Sequence, residues 1–127
     1  MGGRGAEEPT FGELSGYLGY LSVSDADRVQ RVRAGLADEG LEADAPGAIS
    51  AGLAALDRLS QADPFRWDPA SIKSAIGATG KEEGVRGRSL YVPLRLAWTG
   101  DPHGPDLATL VASLGHEESR RRLDTLA

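Results

Sequence analysis

The sequence contains no cysteine, so neither a disulfide framework nor a thiolate-ligated metal site is available to it. Its only two histidines, His103 and His116, have no Ser, Asp or Glu beside them at a spacing that makes a catalytic triad or a metal cluster. No glycine-rich phosphate loop occurs. Glu82-Glu83 and Glu117-Glu118 are adjacent pairs, which diverge on a helix instead of forming an acid–base dyad. No apolar run approaches the ~18–20 residues that cross a bilayer. Met1 to Thr10 is Gly-rich and polar where a secretion signal is apolar. Strand patterning is also missing, and only Leu90-Tyr91-Val92 hints at it. These absences predict a soluble, cytoplasmic, all-α protein with no catalytic residues, no cofactor, no metal and no membrane partner.

What is present is one domain's worth of chain, 127 residues, enough for a single helical core and too short for a catalytic domain beside it. The net charge of −5 is unevenly spread: residues 1–63 hold 5 basic against 11 acidic side chains, and residues 64–127 hold 9 against 8. A phosphate backbone is held by local positive potential, so the second half is the better surface for nucleic acid. The acidic total predicts weak binding.

Residues 1–22 read as a flexible arm. Within Phe11 to Val23, the residues Phe11, Leu14, Tyr17, Leu18 and Leu21 have helical spacing, but Gly12, Gly16 and Gly19 weaken it by ~1 kcal/mol each. That stretch is a short helix only if packing orders it. From residue 23 to 127 the helix signals sharpen. Ser24 or Asp25 caps a helix stopped by Gly40, with Val29, Val32 and Leu36 as its stripe. Pro46 opens a second, carrying Ile49, Leu53, Leu56 and Leu59 or Ser60 to Asp63-Pro64. Asp68-Pro69 opens a third, through Ile72, Ala75, Ile76 and Thr79, with Gly80 as the expected stop and 81–88 as a polar connection. Ser89 to Thr99 is a fourth, with Leu90, Leu94, Ala97 and Trp98 inward and Pro93 near its start. Pro105 is expected to open a fifth, closed by Gly115, and His116 to cap the last. The prediction is a compact bundle of five to seven short helices.

The run Gly87-Arg88-Ser89-Leu90-Tyr91-Val92-Pro93-Leu94-Arg95-Leu96-Ala97-Trp98-Thr99-Gly100 resembles a segment of bacterial glutamyl-tRNA synthetases, Gly-Lys-x-Leu-(apolar)-x-Pro-Leu-Arg-x-Ala-Leu-Thr-Gly. The successors match in order and spacing: His103-Gly104-Pro105-Asp106-Leu107, then Ser113-Leu114-Gly115, then Arg122-Leu123. The resemblance is to the C-terminal anticodon-binding region of that family, and it extends more loosely upstream through Phe65-Arg66-Trp67-Asp68. It implies a helical anticodon-binding domain of the class I aminoacyl-tRNA synthetase type. Trp98 departs from the family's Leu. On this reading the chain lacks the first half of the anticodon region. It also has neither a His-Ile-Gly-His-like nor a Lys-Met-Ser-Lys-Ser-like segment, so it is not expected to activate glutamate.

The resemblance makes Arg95 the first candidate for RNA contact, since that family's Pro-Leu-Arg arginine faces the anticodon and a guanidinium can pair with or stack on an unpaired base. The alternative is a structural ion pair with Asp101 or Asp106. Gly104, Pro105 and Leu107 form the matching turn, either a rest for an unstacked base or a plain helix entry with Leu107 in the core. Arg86 and Arg88 are candidate phosphate contacts or merely solvated loop charges, and Lys73 and Lys81 are lesser candidates. Arg120, Arg121 and Arg122 diverge by ~100° each on a helix and read as charges favourable to its C-terminal dipole. Besides a module that only packs against another protein, two functions remain open. One is a domain that recognises tRNA of the glutamate type weakly, or through a partner synthetase. The other is a domain recruited to bind or convert a small molecule, in a pocket lined by Trp67, Tyr91, Trp98 and Arg95.

Overall fold

A computed structural model of the chain describes residues 23–104 and 106–126. The expected arm at 1–22, the short helix within it, and Pro105 lie outside the described residues. Among these residues the chain forms α1 (Asp25–Glu39), α2 (Ala45–Gln61), α3 (Pro69–Glu83), α4 (Arg88–Thr99), α5 (Leu107–Leu114) and α6 (His116–Asp124), with no strand. Leu90-Tyr91-Val92 belongs to α4.

Local chemistry sets most helix ends. The Ser24 hydroxyl accepts the Asp27 amide at 3.2 Å, and after α1 the Leu41 amide returns to the Leu36 carbonyl at 3.0 Å around left-handed Gly40. Asp68 caps α3 by accepting the Ser71 amide at 2.8 Å. Three expected boundaries move. First, α3 runs past Gly80 to Glu83 and stops at left-handed Gly84, where the Val85 amide bonds the Gly80 carbonyl at 2.8 Å. Gly80 is instead a packing position: a Cβ there would lie 2.4 Å from Leu90 Cδ2 and 2.8 Å from the Val85 carbonyl oxygen. Second, Asp106 supplies the start of α5, accepting the Thr109 amide at 3.0 Å, so the first helical residue is Leu107. Third, Gly115 precedes α6, and His116 is its first residue and not its cap.

Helix α2 is the hub, packing on α3, α4 and α6; α1 lies on α4, α3 on α5, and α6 on both α4 and α5. The core they share contains Leu56, Ile72, Leu90, Leu94, Trp98 and Leu123. Trp98 is fully buried, and its indole N–H donates to the Ser119 carbonyl at 3.0 Å, which satisfies the polar end of the largest core side chain. Trp67 is half-buried elsewhere, donating to the Ala112 carbonyl at 3.1 Å with its ring at an edge-to-face 5.5 Å from His116. His116 Nε2 lies 2.9 Å from the Leu56 carbonyl, a geometry that needs the proton on that nitrogen.

Two arginines are buried with the core, Arg28 at 0% exposure and Arg122 at 1%. Arg28 Nη1 donates to the Ala97 carbonyl at 2.7 Å and the Arg122 carbonyl at 3.2 Å; its Nη2 reaches Thr125 Oγ1 at 3.0 Å and Asp25 at 3.2 Å. Arg122 donates to the Trp98 carbonyl and to Glu118, both at 2.7 Å. The last carbonyls of α4 have no partner inside their own helix, and these guanidinia supply the missing donors. Arg122, expected as a helix-end charge, does lie in the last turn of α6, but it is buried against the end of α4. The three C-terminal arginines do diverge: Arg120 pairs with Asp57, and Arg121 with Glu118 and Asp25 at 2.7 Å each. These pairs hold the carboxyls of Asp25 and Glu118 down at about 2, the Arg121 hydrogen bond being the largest cause in each.

Candidate nucleic-acid interface

A solvent-facing hollow of about 200 Å³ opens where α3, α4 and the start of α5 meet. Tyr91 and Arg95 enter it from α4, four residues apart on one helix face, and Lys73 and Ile76 from α3, three apart. Asp106, Leu107 and Ala108 close the far side. The α4–α5 turn sets this geometry. Gly100 ends α4 at φ 80°, its amide on the Leu96 carbonyl at 2.7 Å. The Thr99 hydroxyl donates to the Arg95 carbonyl at 2.7 Å and accepts the Asp101 amide at 2.9 Å. Asp101 in turn accepts the His103 amide at 2.9 Å, and the chain then reverses through Gly104, at φ 145°, toward α5.

Asp106 is the acid of the hollow. Both the Thr109 amide and hydroxyl donate to its Oδ2, at 3.0 and 2.9 Å. Those two bonds, the amide first, lower its pKa, helped by the charges of Lys73 and Arg95. Asp106 thus shares the rim with two cations, a phenol ring and an apolar floor.

The structure gathers Arg95 and Leu107 into this hollow. Leu107 is 5% exposed and joins the core, so it forms the floor and not a projecting platform. Gly104 lies exposed in the turn leading to it. Arg88 begins α4 about 10 Å farther along the axis. Its guanidinium donates to the Glu39 carbonyl at 3.0 Å and pairs with the Glu39 carboxylate, tying α4 to the end of α1. Arg86 is exposed in the turn before α4. The four-residue pocket expected from Trp67, Tyr91, Trp98 and Arg95 does not assemble: only Tyr91 and Arg95 line the hollow. Lys73 was legible only as a lesser candidate for RNA contact, and Asp106 as one of two carboxylates that could pair with Arg95. What the sequence could not show is that Lys73, on another helix, would share a hollow with both. Among the described residues no three His, Asp or Glu side chains converge as a metal site, and no helix is long and apolar enough to cross a membrane.

The hollow thus sits where the Pro-Leu-Arg helix meets the turn that follows it. The anticodon-binding domain family matches residues 30–127, and the chain belongs to that family. Within it the similarity is to glutamate–tRNA ligases. The chain is 43% identical over 82 residues to glutamate–tRNA ligase 2 of Acidiphilium cryptum, covering 65% of this chain and 18% of that protein. It is 40% identical over 85 residues to the glutamate–tRNA ligase of Halalkalibacterium halodurans, covering 67% and 16%. The chain thus spans less than a fifth of the length of these relatives. No solved structure matches it.

Proposed function

We propose that this helical domain, residues 23–127, contacts tRNA of the glutamate type weakly, with the hollow around Arg95 taking an unstacked base. The observation that carries the reading is the convergence of Arg95, Lys73 and Tyr91 on one solvent-open hollow in a chain of the anticodon-binding family. A guanidinium and a phenol ring offer stacking and edge contacts, and the apolar floor of Leu107 and Ile76 receives the base face. Asp106 offsets part of the positive charge, which suits a neutral base better than a phosphate. Phosphate contact falls to the exposed Arg86 and, on exchange of its Glu39 partner, to Arg88. Gly104 lies exposed in the turn before Leu107, and it and its neighbour in sequence, Pro105, are assigned to the same contact. With so few cations, the expected dissociation constant lies in the range of ~10⁻⁴–10⁻⁶ M and weakens steeply with salt. A partner synthetase that supplies a second tRNA-contacting surface would tighten it. A hollow of about 200 Å³ is smaller than the ~300–1,000 Å³ usual for small-molecule sites, which disfavours a recruited metabolite site there.

The test is a titration of the protein with glutamate tRNA, other tRNAs and an anticodon stem-loop at low and moderate salt. Arg95→Ala is expected to abolish any preference among tRNAs, whereas Arg86→Ala weakens all of them alike. Absence of binding at low salt, alone and with a partner synthetase, would refute the proposal.

A further inference from the structure

A groove of about 700 Å³ lies away from the Arg95 hollow, between α1 and α2. Its floor is Val32 and Ile49, and its walls are the half-exposed Val29, Leu36, Leu53 and Leu126. These are the residues that periodicity assigned to the buried stripes of α1 and α2, so the two helices present apolar faces that nothing described in the bundle covers. Polar groups at the groove, such as Arg33 and Ser50, stand exposed and do not converge on a point inside it. A small-molecule site needs such convergence.

We propose that residues 11–22 of this same chain seat in the groove, folding back antiparallel along α1. On a helical wheel Phe11, Leu14, Leu18 and Leu21 fall within an arc of ~80°, with Gly12, Gly16 and Gly19 on the opposite side. Such a segment is amphipathic in the sense the groove requires, yet too glycine-rich to hold a helix alone, because each glycine costs ~1 kcal/mol. Burial of the stripe supplies what propensity lacks. The reach fits. Val23 and Ser24 lead straight into α1, so the segment is tethered at the end of the groove beside Val29. Phe11 to Leu21 as a helix measures ~16 Å, against ~10 Å from Val29 to Leu36 along α1. In that register Leu21 meets Val29, Leu14 meets Leu36, and the segment's acid, Glu13, comes within about one turn of Arg33. A tethered occupant also has the advantage of effective concentration over any free partner. This inference does not depend on the tRNA reading.

Hydrogen exchange of the full chain, followed by mass spectrometry, tests it. The amides of 11–22 are expected to exchange about tenfold or more slowly than those of a free peptide of the same sequence. Leu53→Glu places a charge in the groove wall on a half-exposed position. It is expected to return 11–22 to the peptide rate while α3 and α5 keep their protection. Should Leu53→Glu loosen the bundle itself, Leu18→Glu asks the same question from the segment side and leaves the bundle unaltered. Exchange of 11–22 at the peptide rate in the parent chain, or protection that survives Leu18→Glu, would overturn the proposal. So would protection that grows with protein concentration, which would assign the groove to a second copy.

Discussion

The buried and the solvent-facing sides of α4 use arginine in opposite ways. At its C-terminal end, Arg28 and Arg122 are buried, and their guanidinia are consumed by backbone carbonyls of Ala97, Trp98 and Arg122. On its solvent side, Arg95 stands half-buried at the rim of an open hollow beside Lys73, with Asp106 between them in charge. The first arrangement satisfies carbonyls that the helix cannot satisfy itself, and burial lowers the Arg28 pKa while the Asp25 hydrogen bond opposes the shift. The second keeps its cations where a ligand can reach them. The lesson is that a basic residue count says little about RNA binding here. Of the 9 basic residues in the second half of the chain, Arg122 is removed from the surface and Arg88, Arg120 and Arg121 are tied to carboxylates.

Substitutions separate the two sides by stability against binding. Trp98→Ala is expected to cost ~3–5 kcal/mol in denaturant unfolding, since it empties the core beneath the buried arginines. A near-zero loss would mean that the indole is not core. Arg28→Met keeps much of the side chain's volume but strands the Ala97 carbonyl, and is expected to cost on the order of 3 kcal/mol without touching tRNA binding at fixed folded fraction.

The carboxylates serving the buried side titrate in acid. Because Asp25 and Glu118 are held at about 2 when folded, below their ordinary values of 3.8 and 4.5, their contribution is complete above the ordinary values and is lost as pH falls through about 2. The caps Asp68 and Asp106 act in the same direction. The melting temperature is therefore expected to fall from about pH 5 to about pH 2, and less steeply in Glu118→Gln. An identical pH slope in that variant would remove Glu118 from the account. The smallest stability effect is expected for Arg95→Ala, at most ~1 kcal/mol by the usual worth of a partly exposed ion pair. Its tRNA preference is the quantity that changes. A loss as large as that of Arg28→Met would place Arg95 with the structural arginines.

Much of this was readable from periodicity and caps. Ser24, Gly40, Pro46, Asp68 and Gly115 mark real helix ends, and Leu90, Leu94, Ala97 and Trp98 form the buried face of α4 as spaced. These signals are local: a hydroxyl or carboxylate that accepts the amide three residues on, or an apolar side chain every third or fourth position, acts through neighbours in sequence. The motif from Gly87 to Leu107 carried the family for the same reason, being continuous.

What only the tertiary structure decided is long-range. Gly80 looks like a helix stop and is a point of close approach for Leu90. Arg28 looks like a solvent charge on a polar helix face and is buried, because its partners lie 69 and 94 residues away at Ala97 and Arg122. Arg86, Arg88 and Arg95 are all candidate RNA contacts from the sequence, and of the three Arg95 shares a hollow with Lys73 and Asp106. Sequence pattern specifies which face of each helix is apolar, because that depends on a period of 3.6 residues. Which polar group meets which depends on how the six described helices pack, and that is set by the summed burial of all their faces at once.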